Sequence, residues 1–238
     1  MTATELHSNI KDFCIKNADE KIVETYSRYF KGGFNGYGLQ KDLIPNKVKE
    51  YKEQLWCTID LVYDVSKLLV PEEKFELPSF AMSLLNEYSK EFDYKTFQEL
   101  ESWFSIGINN WAHVDGLVQL LFPVFWKKEI IQLNNLSAWR KAENKFQRRC
   151  VPVAIIKLLK YDTDLPKMFV FIDSMMMDTE REVHQGLGWF LRECWKKDRE
   201  LTEEFLLKWK NDCARLIIQY ATEKMTKEER LQFRRDKQ

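Results

Sequence analysis

The spacing of apolar residues constrains this chain most. Nearly everywhere it follows the i, i+3, i+4, i+7 pattern that gathers side chains on one face of a helix. Phe146 to Leu159 and Val183 to Trp195 are clear instances, and alternating β-branched runs bounded by turn residues are lacking. An all-α fold follows. Breaks are expected at 32–38, where four of the eight glycines gather, at Pro45 and Pro71, at Asn109-Asn110 and Asn134-Asn135, at 162–164, at Asp178-Thr179 and at Asp198. These divide the chain into about a dozen helices with short connections. No long linker intervenes, so 1–238 reads as a single domain.

A repeat is superimposed on the helical pattern. Phe75, Trp111, Phe146 and Val183 each open an apolar helix after a polar approach, at intervals of 36, 35 and 37 residues. That period suits stacked helix pairs of HEAT type, an α-solenoid in which one helix of each pair lines a concave groove. Counted from those opening residues, Asp115 stands at +4, Arg149 at +3 and Trp189 at +6, on one broad arc with Trp111 at zero. Trp111 and Asp115 are four apart, which puts an indole and a carboxylate on the same helix face. Alone, such a pair is more often a half-buried aromatic beside an exposed acid. A carboxylate, a guanidinium and two indoles recurring at one phase are costly to keep for packing only.

Composition narrows the classes. With 45% hydrophobic and 14% aromatic residues the chain can bury a substantial core. Met1 to Phe13 shows no secretory pattern, and the uncharged run Gly116 to Trp126 is too short to span a bilayer, so a soluble, cytoplasmic protein with no membrane partner is expected. Cys14, Cys57, Cys150, Cys194 and Cys213 are widely spaced and never form Cys-x-x-Cys, which argues against disulfides and zinc. His113 has only His7 and His184 as histidine companions, and neither a metal nor a cofactor is expected. The glycines at 32–38 lack the strand and the Gly-Lys-Ser/Thr ending of a phosphate loop and read as a helix-to-helix turn. Met175-Met176-Met177 reads as adaptable core filling. Net charge is zero, but residues 1–119 carry 13 Lys and Arg against 19 Asp and Glu, and residues 120–238 carry 24 against 18. The second half therefore holds a basic stripe that includes Lys127, Lys128, Arg140, Lys141, Lys145, Arg148, Arg149 and the stretch 192–199. It suits phosphates, a solvated helix face being the alternative.

Four stretches together resemble a known family: Tyr29-Phe30-Lys31 with Gly36-Tyr37-Gly38-Leu39-Gln40, Trp111-Ala112-His113-Val114-Asp115, Asn144-Lys145-Phe146-Gln147-Arg148-Arg149, and Gly186-Leu187-Gly188-Trp189-Phe190-Leu191-Arg192-Glu193. They are similar to the bacterial DNA alkylation repair glycosylases of the AlkD type, which are HEAT-like repeat proteins with a concave DNA-binding groove. By that resemblance Asp115 corresponds to the catalytic aspartate, Trp111 and Trp189 to the active-site tryptophans, and Arg149 to an arginine at the DNA backbone. Arg148 is the alternative for that contact, and Lys145 is its neighbour in the basic stripe. Asn110 and Ala112 depart from the family pattern, which has a second Trp and an acid there.

The resemblance implies a monomeric glycosylase of base excision repair, acting on duplex DNA that contains alkylated purines. Hydrolysis of an N-glycosidic bond develops positive charge on the sugar, which an anionic Asp115 would stabilise. A 3-methyladenine or 7-methylguanine is already cationic and leaves as a neutral base, so a second acid is unnecessary. The two indoles would present π faces to the cationic nucleoside, and by resemblance the lesion is processed without being flipped from the duplex. The alternatives are a non-catalytic helical-repeat nucleic-acid binder and a protein-binding scaffold.

Overall fold

The computed structural model describes residues 1–30 and 32–236, and every regular element among them is helical. Lys31, one of the residues carrying the family resemblance, lies outside the described residues. The backbone divides into two compact units, Met1–Asn109 and Asn110–Gln238. The boundary falls at the Asn109-Asn110 break.

The first unit holds α1 (Ala3–Lys16), α2 (Glu20–Ser27), α3 (Leu43–Lys52), α4 (Ile59–Leu69), α5 (Glu76–Asn86) and α6 (Tyr94–Ile106). Capping explains where several begin. Thr2 and Glu5 close a reciprocal capping box on α1, and the side chains of Asp19, Thr58 and Asp93 cap α2, α4 and α6. Helix α4 packs on α1 and α5, and α5 packs on α3, over a core that includes Leu6, Ile10, Val65, Leu69, Phe80 and Leu84, all fully buried. Each such side chain contributes roughly 1.5–3 kcal/mol by leaving water. Pro45 does not break the chain as expected, because it sits in the first turn of α3, where a missing N–H removes no intrahelical bond.

The glycine turn is organised by a buried acid. Glu76 is 4% exposed, and its carboxylate accepts from the backbone amides of Tyr37 (2.8 Å), Gly38 (2.8 Å) and Leu39 (3.4 Å). Successive amides curling around an anion form the same kind of nest that binds phosphate elsewhere. Here the protein's own carboxylate fills it. Gly38 has φ +78°, and a Cβ there would lie 2.2 Å from the Asp19 carbonyl oxygen, so both conformation and space require glycine.

The second unit holds α7 (Trp111–Lys127), α8 (Lys145–Leu158), α9 (Leu165–Ile172), α10 (Arg181–Trp195), α11 (Arg199–Trp209) and α12 (Arg215–Ala221). Helices α7, α8, α10 and α12 pack in that order, each on the next. They run in parallel: Asp115 meets Arg149 near the start of α7 and α8, whereas Trp126 Nε1 donates to the Ala154 carbonyl (3.0 Å) near their far ends. Their first residues are 34, 36 and 34 positions apart, so the periodic spacing reaches one helix beyond Val183, to Arg215. Phe122, Phe125, Trp139, Leu187 and Phe190 are fully buried in this unit. No helix among the described residues is long and apolar enough to cross a membrane.

Candidate functional site

Helix α7 begins at Trp111 because the Asn110 side chain caps it, accepting from the Ala112 amide at 2.7 Å. The cap sets the phase of the helix, with Trp111 at its first residue and Asp115 one turn later. Trp111 is 37% exposed, and Asp115 is half-buried. Asn144 caps α8 in the same way, accepting from the Phe146 amide at 2.8 Å, and so places Lys145, Arg148 and Arg149 in the first turns of the neighbouring helix.

Arg149 joins three helices. Its Nη2 donates to both carboxylate oxygens of Asp115 (2.9 Å each), and its Nε donates to Oδ1 (3.1 Å). Nη1 donates to the carbonyl of Glu182 on α10 (2.8 Å). Gly186, one turn beyond Glu182, explains how α10 comes so close: a Cβ there would meet Pro152 Cγ at 3.2 Å and the Arg149 carbonyl oxygen at 3.4 Å. Trp189 follows one further turn along α10 and is half-buried. Gly188 allows the same closeness on the other side, where a Cβ would lie 2.4 Å from Tyr220 Cβ on α12. Gln185 Nε2 donates to Tyr220 Oη at 2.7 Å.

The fold therefore brings Asp115 and Arg149 into direct contact and sets α10, which carries Trp189, against them. Arg149 is 5% exposed and is bonded to the Asp115 carboxylate and to the Glu182 carbonyl. Arg148 is committed as well. Its guanidinium donates to the Asp178 carboxylate (2.6 and 3.4 Å) and to the carbonyls of Ala142 (2.7 Å) and Glu143 (3.0 Å), tying the approach to α8 to the approach to α10. Lys145 lies between two acids, Glu180 (3.3 Å) and Glu182 (3.1 Å). Lys145 and Arg148, two of the basic residues that read in the sequence as a stripe, are thus matched by carboxylates at the start of α10 and in the segment just before it, 37 and 30 positions further along the chain.

The electrostatics of the site follow from that packing. Burial pushes the Asp115 carboxyl above the usual carboxylate range, against the pull of the Arg149 guanidinium. Burial acts upward on Glu182 too, but its own backbone amide, Lys145 and Arg149 outweigh it and hold that carboxyl below the ordinary value. The neighbouring thiol of Cys150 is pushed well up by burial and by the Asp115 charge, which leaves it inert. All five cysteines are buried free thiols. His113 is buried on α7, and among the described residues no cluster of His, Cys, Asp or Glu is placed to hold a metal ion. Sequence reasoning missed Glu182, Gln185 and Tyr220. The spacing of Gln185 and Trp189, four apart on one helix face, was the available signal for the second of them.

The sequence pattern of the DNA alkylation repair enzymes matches residues 12–225, and the chain belongs to that family. A solved structure of a predicted DNA alkylation repair enzyme from Enterococcus faecalis shares the fold with a TM-score of 0.72 at 17% identity, over 89% of this chain and 98% of that one. No curated protein matches the chain significantly. Membership of this family supports a role in the repair of alkylated DNA.

Proposed function

We propose that the protein is a DNA glycosylase that hydrolyses the N-glycosidic bond of cationic alkylated purines, 3-methyladenine and 7-methylguanine, in duplex DNA. One observation carries the reading: a half-buried carboxylate, Asp115, oriented through both oxygens by a buried arginine and one helical turn from an exposed tryptophan. Arg149 acts as a positioning residue. It fixes the plane of the carboxylate and keeps it ionised against burial, so the negative charge is preorganised where positive charge develops on the deoxyribose. Asp115 stabilises that sugar and orients the attacking water. Trp111 and Trp189 offer π faces to the cationic nucleoside and keep bulk water out.

The second acid argues for the same substrate class. Glu182 meets Arg149 through its main-chain carbonyl, while its carboxyl pairs with Lys145 and is held below the ordinary value, so it is not offered as a proton donor to a departing base. Only a base that already carries positive charge leaves readily as a neutral molecule. Because Arg148, Arg149 and Lys145 are matched by acids, we assign them to shaping the site, with DNA contact supplied by cations elsewhere on the surface. The test is incubation of the purified protein with methylated duplex DNA and identification of the free bases: release of 3-methyladenine and 7-methylguanine is expected, and binding without release would favour a non-catalytic nucleic-acid binder.

A further inference from the structure

Trp189 stands on a helix whose sides are told apart by their neighbours. Val183, Leu187, Phe190, Leu191 and Cys194 are fully buried and mark the core side of α10. Gly186 faces α8 and Gly188 faces α12, since a Cβ at the first would meet Pro152 and Arg149 and at the second Tyr220 and Ile217. Gln185, Trp189 and Arg192 fall on the remaining side, opposite the core, and all three are half-buried. At about 100° per residue, Gln185 and Arg192 lie within roughly 20° of each other, and both are displaced from Trp189 toward the α12 side, by about 40° and 60°. Each is bonded across in that direction. Gln185 Nε2 donates to Tyr220 Oη on α12 (2.7 Å), and the Arg192 guanidinium pairs with Glu223 just beyond the end of α12. Cross-links one turn before and one turn after Trp189 therefore close its α12 side.

We propose that Gln185 and Tyr220 are positioning residues that aim the Trp189 indole at the pair formed by Asp115 and Arg149. A long helical side chain leans over the turn N-terminal to its own Cα. The indole thus extends toward Gln185 and, a turn further, toward Glu182, whose carbonyl receives Arg149. Gly186 puts no side chain on that turn, which leaves Gln185 to decide which way the indole tilts. A glutamine free to rotate has many conformers and would leave the tilt undefined. Held by Tyr220, it presents one surface, and Gly188 lets the two helices approach closely enough for the bond to form, a Cβ there lying 2.4 Å from Tyr220 Cβ. Tyr220 acts through Gln185, and Gln185 through Trp189. The direction of the indole follows from packing alone, whereas its effect on base release rests on the glycosylase reading.

The test is Tyr220→Phe, which removes one hydroxyl and keeps the ring; unchanged thermal unfolding establishes that the variant is folded. The protein is labelled with fluorotryptophan, and among its eight tryptophans the fluorine resonance of Trp189 is identified by its loss in Trp189→Phe. In Tyr220→Phe, without DNA, that resonance is expected to shift or broaden while the others stay in place, and Gln185→Ala should move the same resonance. In single-turnover release of 7-methylguanine, Tyr220→Phe should be slower by about fivefold, the equivalent of one neutral hydrogen bond, with duplex affinity unchanged. In a Trp189→Ala background the same substitution should have no further effect. A Trp189 resonance identical in Tyr220→Phe and wild type overturns the proposal, as does an equal slowing of release by Tyr220→Phe with and without Trp189. If the wild type releases no base, the glycosylase reading fails, and the resonance still decides the positioning role.

Discussion

Asp115 and Arg149 are best understood as one unit. The carboxyl is pushed up by burial and pulled down by the guanidinium, and the proposed base release needs its ionised form. The acid limb of the pH profile for base release should therefore lie above the value of about 3.9 for an ordinary aspartate, with activity lost as pH falls through it. Replacing Arg149 by Met removes the downward pull, so the limb should move to still higher pH, and Arg149→Lys should restore part of the shift. A limb that stays in place in Arg149→Met would remove Arg149 from the account. Because the folded-state pKa is raised, stability contributed by this carboxyl is fully present below the unfolded value and declines as pH rises through the window up to the folded value. The same geometry changes what Arg149 variants should do to DNA binding. If Arg149 stays paired with Asp115 when DNA is bound, it adds nothing to the phosphate count, so the salt dependence of duplex affinity in Arg149→Met should match the wild type; a decrease of about one unit would establish the backbone contact.

The elements show where sequence reasoning reached and where it stopped. The indole and carboxylate of α7 were legible because a spacing of four is a property of any helix, and Asn110 and Asn144 fix where α7 and α8 start. The pairings of Arg148 with Asp178 and of Lys145 with Glu182 were not legible, since they join residues from different helices that periodicity cannot set in register. The run of basic residues therefore gave no sign of the acids that Lys145 and Arg148 meet. The two glycines of α10 give a contrasting pair of tests. In Gly188→Ala the added Cβ meets Tyr220 Cβ at 2.4 Å and the Ile217 carbonyl oxygen at 2.8 Å, so despite better helix propensity the variant should lose about 1–2 kcal/mol in denaturant unfolding. In Gly186→Ala the nearest approach is 3.2 Å, to the Pro152 ring, and a small shift absorbs it, so stability should stay within about 1 kcal/mol of wild type. Equal effects at both positions would mean that α12 is free to move away from α10.

Across the whole molecule the all-helical reading matched the structure, and the period that the sequence suggested at Phe75, Trp111, Phe146 and Val183 continues to Arg215. The division into two compact units at Asn109-Asn110 was not legible, because that break looks in sequence like every other helix boundary. Function at this scale depends on which lesions the site can process. Because the proposed chemistry needs a base that already carries positive charge, neutral lesions such as hypoxanthine, uracil and 1,N6-ethenoadenine should remain in duplex DNA, and Trp111→Ala and Trp189→Ala should each slow release of both cationic bases together if the indoles address the shared sugar. Loss of one cationic lesion with the other spared would reveal a base-reading pocket. The most direct measurement is single-turnover release of 7-methylguanine from duplex DNA by wild type and Asp115→Asn, with duplex affinity measured in parallel. The account predicts a loss of roughly 10²–10³-fold in rate for the variant, with affinity within a few-fold of wild type. An Asn variant as fast as the wild type would contradict it.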